Sequence, residues 1–326
     1  MKNPADTILI DGFIYTVDPS LPSVAAVAIR NGRIMACGTT AEIRTYCDQN
    51  TQVVDLSGRM VMPGLIDGHC HPTKGAIADL FSCKFEFSAT PDEIALAVSA
   101  SVAKNLPGTC ILGGRSDSGF FDTFDIGTPR LWLDQHAGDK AVYLRDDSDH
   151  NGWANSKALS LAGIDRFSED PAGGKIMREP DSGEPTGLLI EQADSLVRNR
   201  LPDWTEEQYE AGVAEMVRIA HGYGITGVTD ADVNETLLKA YHALDEKGDL
   251  QIHVVACISP PYGHRETPLD YDGIELLRDR YASPNVDTRF AKIYLDGVPT
   301  AARSAAMLAP YKPIRIIRTT IAVRYM

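Results

Sequence analysis

The chain is short of several features, and each shortage removes a class of function. Its six cysteines, at positions 37, 47, 70, 83, 110 and 257, are scattered without a C-x-x-C pair. That pattern excludes a dense disulfide framework or a cysteine-built zinc cluster and predicts reduced thiols in a cytoplasmic setting. No stretch reaches the ~18 uninterrupted apolar residues of a membrane span, and the opening Met-Lys-Asn-Pro-Ala-Asp lacks the apolar core of a secretory signal. Neither a membrane nor secretion is therefore expected. Basic residues are outnumbered, 31 Lys and Arg against 45 Asp and Glu, for a formal charge of -14. Phosphate binding needs clustered cations, so nucleic acid is not an expected partner. There is no G-x-x-x-x-G-K-[ST] phosphate loop, no repeat of fixed period and no low-complexity tract. What is present is a chain of 326 residues, 44% of them hydrophobic, long enough to bury one large core and a small one.

Residues 7 to 62 carry short β-like runs broken by turn signals. Ile8 to Ile10 and Phe13 to Val17 flank Asp11-Gly12, and Val24 to Ile29 and Arg33 to Cys37 flank Asn31-Gly32. Asp-Gly and Asn-Gly supply the positive φ values of tight hairpins, which predicts a small antiparallel β domain over residues 1–62. After Pro63, apolar strands alternate with helical stretches such as Asp92 to Lys104 and Glu206 to His221, the pattern of a parallel α/β array. Further strand candidates are Cys110 to Gly113, Ala141 to Leu144, Ile225 to Thr229, Gln251 to Ile258 and Arg289 to Leu295; with the strand that follows Val61 they make six. The segment from about 115 to 190, rich in Gly, Pro, Asp and Ser, reads as an elaborate loop region above a scaffold.

The run from Val61 to His71, Val-Met-Pro-Gly-Leu-Ile-Asp-Gly-His-Cys-His, is the most informative stretch. Side chains at i and i+2 on a strand share a face, so His69 and His71 are placed to hold one metal ion while Cys70 points to the other face. Neutral imidazole suits zinc and its first-row neighbours. Elsewhere, His253 within a strand is a weaker metal candidate, and His221 and His242 sit in helical stretches as ordinary histidines. Asp230 and Asp232 share a face at the end of the Gly-Val-Thr strand, where they either support the site or form a strand-end turn. Glu191 either lines the cleft or, as the plainer reading, is an exposed carboxylate in the first turn of a helix, the end where negative charge is favoured.

These residues carry a resemblance. The His-x-His segment resembles the first barrel strand of the metal-dependent amidohydrolase superfamily. Further stretches are similar to its amidohydrolase-3 group, which includes N-substituted formamide deformylases: Asp11 to Thr16, Ile29 to Ile34, His150 to Leu159, Gly183 to Leu189, Gly224 to Val228 and Lys292 to Gly297. The resemblance implies an α/β fold, an incomplete (β/α)8 TIM-type barrel over residues 63–311 with an insertion at about 115–190. It implies a small-molecule substrate, one or two divalent ions (zinc foremost), and hydrolysis of a C–N bond in a non-peptide amide, formamide or cyclic imide through a metal-activated water. A homo-oligomer is compatible with it. It makes Lys292 a third metal ligand, free or as a carbamate; the plain alternative is a lysine paired with Asp287 or Asp296. It sets His150 and Trp153 near the substrate, while Asn155 and Ser156 equally read as a helix cap.

The sequence also departs from that pattern. Relatives complete the site with two later histidines and a general acid/base aspartate, and none has a matching position here. Residues 312–326 hold four basic residues and no acidic one, an atypical basic tail that resembles a shifted reading frame or a replaced terminus and leads to the expectation of C-terminal truncation. The alternative to a hydrolase is thus a non-catalytic or inactive metal-binding fragment of one.

Overall fold

The computed structural model describes residues 3–104, 110–148, 150–202, 204–259 and 270–293. Lys292 is inside these limits; Asp296 and the basic tail at 312–326 lie outside them. The chain divides into two compact units, Met1–Gly68 with Ala220–Gly227, and His69–Ile219 with Val228–Met326.

The first unit is built from short strands. These are β1 (Thr7–Ile10), β2 (Phe13–Tyr15), β3 (Ser23–Val24), β4 (Ala26–Arg30) and β5 (Arg33–Gly38), then helix α1 (Thr40–Arg44), β6 (Gln52–Asp55) and β7 (Met60–Val61). They form two sheets, ordered β5-β4-β1-β6 and β3-β2-β7. Alternation decides which side chains go inside. Ile8 and Ile10 of β1 pack with Ala26, Ala28 and Ile43, while Val27, on the other face of β4, joins Ile14 and Leu56 in a second cluster. Helix α1 starts with a reciprocal capping box between Thr39 and Glu42.

Asn31-Gly32 makes the expected hairpin, with φ of +50° and +69° and Arg30 paired to Arg33 across β4 and β5. Asp11-Gly12 does not. It carries the chain from one sheet to the other, and Gly12 passes so close to Leu56 that a Cβ there would lie 2.3 Å from Leu56 Cδ1. Nor are the sheets purely antiparallel, since β6 runs parallel to β1 and β7 parallel to β2. The intervening hairpin and helix bring the chain back beside its starting strands in the same direction, as a crossover does.

Beyond β8 (Leu65–Cys70) and α2 (Pro72–Phe81), the next stretch of chain is regular structure, and it takes in the region from about 115 to 190 that was expected as an elaborate loop. It runs α3 (Pro91–Lys104), β9 (Cys110–Ser116), α4 (Phe120–Thr123), α5 (Pro129–Ala137), β10 (Ala141–Asp146), β11 (Asn151–Ala154), α6 (Ser156–Ala162), β12 (Gly174–Arg178), β13 (Pro185–Glu191), α7 (Gln192–Arg198) and α8 (Glu206–Gly222). Its five strands form one sheet ordered β12-β13-β11-β10-β9. Strand β10 is buried on both faces: Ala141 and Tyr143 belong to a cluster with Leu159, Ile176 and Leu189, and Val142 and Leu144 to one with Ile94, Leu133 and Trp153. Short strands between turns rich in Gly, Pro and Asp gave this segment its loop-like composition.

The remaining elements are β14 (Ile225–Val233), α9 (Glu235–Glu246), β15 (His253–Ile258), α10 (Tyr271–Tyr281) and β16 (Val286–Ala291). The sheet they build is ordered β16-β15-β14-β8, so strands that follow one another in this part of the chain are neighbours. Two of the six strand candidates, Cys110 to Gly113 and Ala141 to Leu144, belong to the separate five-stranded sheet. Strand β15 buries Val254, Ala256 and Ile258 in alternation and pairs parallel with β16. Helix α9, capped by Asn234, buries Leu237, Tyr241 and Leu244 at helical spacing. No helix among the described residues is long and apolar enough to cross a membrane.

Candidate metal centre

His69 and His71 stand at the carboxyl end of β8, with ring centroids 5.8 Å apart and planes at 72°. Both are exposed while Cys70 between them is half-buried and directs its thiol to Thr229 O at 3.6 Å, as strand alternation requires. Helix α2 begins directly after His71, with Pro72 in its first turn, and the His71 ring makes no capping hydrogen bond to that helix.

Strand β14 brings a carboxylate to this point. Asp230 is fully buried, accepts a hydrogen bond from the Tyr241 hydroxyl on Oδ2 at 2.8 Å, and faces His71 Nδ1 with Oδ1 at 3.8 Å. That separation is too long for a hydrogen bond, and Oδ1 has no other hydrogen-bond partner among the described residues. Two positions on, Asp232 is also buried and is paired with Lys74 of α2. Neither aspartate forms a turn, because β14 continues through Val233. Burial, reinforced by the Asp230 charge, holds Tyr241 well above the ordinary phenol range.

Lys292 directly follows β16, its backbone N–H bonded to Ile258 O at 2.8 Å at the end of the β15–β16 ladder. Cys257 senses the neighbourhood: burial raises its thiol pKa, the Asp230 charge adds to the rise and the Lys292 charge opposes it. Asp287, the plain alternative partner for Lys292, is engaged by Arg289 at 2.6 Å. His253 begins β15, whereas Lys292 follows the carboxyl end of β16. Among the described residues no group of three His, Cys, Asp or Glu is arranged to hold a metal. The donor set still suits a divalent cation: two imidazoles share a strand face, and a buried carboxylate oxygen with unused acceptor capacity lies beside one of them.

His150 is built into the five-stranded region. Its Nδ1 lies 2.9 Å from Glu191 Oε2, and that contact is the main reason its pKa is raised, against an opposing contribution from burial. Glu191 is half-buried with φ of +51°, not the exposed first-turn carboxylate expected. Nearby, burial lifts Asp194 to about 6 despite the Arg198 charge. Trp153, expected beside a substrate, is only 3% exposed. It sits among Phe120, Phe121 and Trp132, with its indole N–H donated to Pro129 O at 3.0 Å. An alternating strand places its side chain in the core opposite the face that Ala154 uses. Asn155 caps α6 by accepting from Ala158 N–H, so that capping role is realised.

Asp230 is the site residue that sequence reasoning undervalued. Aspartates inside a mostly buried strand, Gly-Val-Thr-Asp-Ala-Asp-Val, were the available signal, since a buried carboxylate is costly unless it is paired.

The model of the Amidohydrolase family matches residues 52–324. N-substituted formamide deformylase of Arthrobacter pascens is 33% identical over 255 residues, covering 77% of this chain and 47% of that protein. Protein LONG AFTER FAR-RED 3 of Arabidopsis thaliana is 35% identical over 226 residues, covering 69% of this chain and 38% of its own. The chain thus spans about half the length, or less, of these two curated relatives. A metal-dependent hydrolase from Pyrococcus horikoshii superposes with a TM-score of 0.68 at 22% identity, over 90% of this chain and 56% of that one, a likeness of fold.

Proposed function

This chain belongs to the amidohydrolase family, and on that premise we propose that it is a metal-dependent hydrolase of C–N bonds in non-peptide amides, formamides or cyclic imides. The observation that carries the reading is the His69–His71 pair at the end of β8, with the buried Asp230 carboxylate beside it and Lys292 just beyond the end of another strand of the same sheet. We read β8, β14, β15 and β16 as the first four strands of a TIM-type barrel, with the region from α3 to α8 as an insertion after the first. In such barrels the catalytic side chains gather at the carboxyl ends of the strands, which is where His69, His71 and Lys292 stand.

His69 and His71 would hold the ion, zinc by preference for an imidazole set, and Lys292 would join them as a carbamate, because a free ammonium has no lone pair to offer. When bound, a divalent metal lowers the pKa of water toward ~7 and polarises a carbonyl. His150, steadied by Glu191, is suited to orient a polar substrate group, as a fixed hydrogen-bond donor at a reacting carbonyl does.

The experiment measures metal content, and metal-dependent turnover of N-substituted formamides and cyclic imides, in the native chain and in a His69→Ala/His71→Ala variant. The reading predicts that the variant loses both metal and turnover. Equal metal in the two proteins refutes it. Metal bound through the histidines without turnover of any substrate selects a non-catalytic metal-binding chain.

A further inference from the structure

Asp230 is the end of a directional hydrogen-bond chain. Tyr241 is fully buried, and burial and the Asp230 charge keep its hydroxyl protonated, so its one proton goes to Asp230 Oδ2 at 2.8 Å. Thr73 Oγ1, also buried and 2.6 Å from the Tyr241 oxygen, is then the donor to it. This chain fixes the carboxylate in place and uses one oxygen. The other, Oδ1, has no hydrogen bond among the described residues and faces His71 Nδ1 at 3.8 Å. Leaving a buried acceptor unused is costly, so its direction needs a reason.

We propose that Asp230 is a positioning residue for His71. This inference rests on the reading of His69 and His71 as metal ligands. Oδ1 accepts a hydrogen bond donated by His71 Nδ1–H, which fixes the tautomer whose lone pair is on Nε2 and makes that nitrogen the one offered to the metal. The His71 side chain is 45% exposed and holds no capping bond, so the ring is free to turn through the ångström or so that separates 3.8 Å from a hydrogen bond. Thr73 and Tyr241 act one step further out, by holding the carboxylate against rotation.

The test is cobalt(II) binding, by chelator competition and by the visible spectrum of the bound ion, in the native chain and in Asp230→Asn, Asp230→Ala, Tyr241→Phe and His69→Ala/His71→Ala variants. Asp230→Ala is expected to weaken binding by roughly 10–100-fold. Asp230→Asn keeps an acceptor and the shape, and should recover most of that loss with the cobalt bands in their native positions. Tyr241→Phe, which leaves both imidazoles and the carboxylate intact, should fall between Asp230→Asn and Asp230→Ala. If Asp230→Ala does not fold, Tyr241→Phe carries the test, because a carboxylate with no link to the metal leaves that variant at native affinity and overturns the proposal. Bands displaced in Asp230→Asn would make Asp230 a ligand itself and also overturn it. Native binding by the double histidine variant would instead sink the metal-site reading beneath it.

Discussion

Replacing Trp153 separates a core side chain from a substrate contact. The indole is 3% exposed, with centroids 5.8, 5.0 and 5.4 Å from Phe120, Phe121 and Trp132, and its N–H satisfies Pro129 O at 3.0 Å. Trp153→Ala removes all of this and leaves a cavity, at a cost of about 3–5 kcal/mol. Trp153→Phe keeps much of the aromatic packing but strands the Pro129 carbonyl, at about 1–3 kcal/mol. Against a total stability of roughly 5–15 kcal/mol for a domain, the first loss is severe and the second tolerable. Amide hydrogen exchange in β10 and β11 reads this locally, without assuming that the whole chain unfolds in one step. At about 1.4 kcal/mol per decade, Trp153→Ala should speed exchange there by roughly 10²–10⁴-fold, with Trp153→Phe slower. Native protection in both variants, combined with lost binding or turnover of a small amide, would refute the assignment to the core and return the ring to the substrate.

Asp194 gives a stability change with pH. Its folded pKa is raised from 3.8 to about 6, chiefly by burial, so its contribution is fully present below pH 3.8 and is lost as pH rises through about 6. A shift of about two units is worth up to roughly 3 kcal/mol, and the urea midpoint of Asp194→Asn should lack that component of the fall between pH 4 and 7; parallel profiles in the two proteins would count against it. For His150, whose pKa is raised mainly by Glu191, Glu191→Gln should move the imidazole midpoint in an NMR titration to lower pH. The stabilisation linked to that contact is present below the unfolded histidine pKa of ~6.5 and disappears above the folded one. An unmoved midpoint would mean that the ring and the carboxylate are not paired in solution.

The parts of this molecule that were legible in the sequence are those set by local rules. The i, i+2 pair at His69 and His71, the Asn31-Gly32 hairpin, the cap at Asn155 and the helices at 92–104 and 206–221 all follow from periodicity and turn chemistry within a few residues. The misread parts depend on what lies across the fold. Asp11-Gly12 has hairpin chemistry, but β1 and β2 find partners in different sheets. The segment after 115 has the composition of a loop because its strands are short and its turns frequent. Trp153 lies in a stretch expected beside a substrate, yet alternation along β11 directs it into an aromatic core. Asp230 meets His71 only because β14 and β8 lie in one sheet, and nothing within reach along the chain signals that contact.

Leu65 N–H reaches Gly224 O at 2.9 Å, so the long excursion between β8 and β14 leaves and returns at nearly the same place. Closing a loop costs entropy only as the logarithm of its length, about 0.6 kcal/mol per doubling. Substantial growth or loss of sequence within such an excursion would therefore change the energy of the sheet little. The rate of folding is another matter. Strands so far apart in sequence pair slowly, and a ligand pocket that needs β14 beside β8 cannot form until the excursion has collapsed into its own cores. The His pair would be made early by the ribosome and brought beside Asp230 late by folding, and the ordering of the five-stranded sheet would set the time at which that happens.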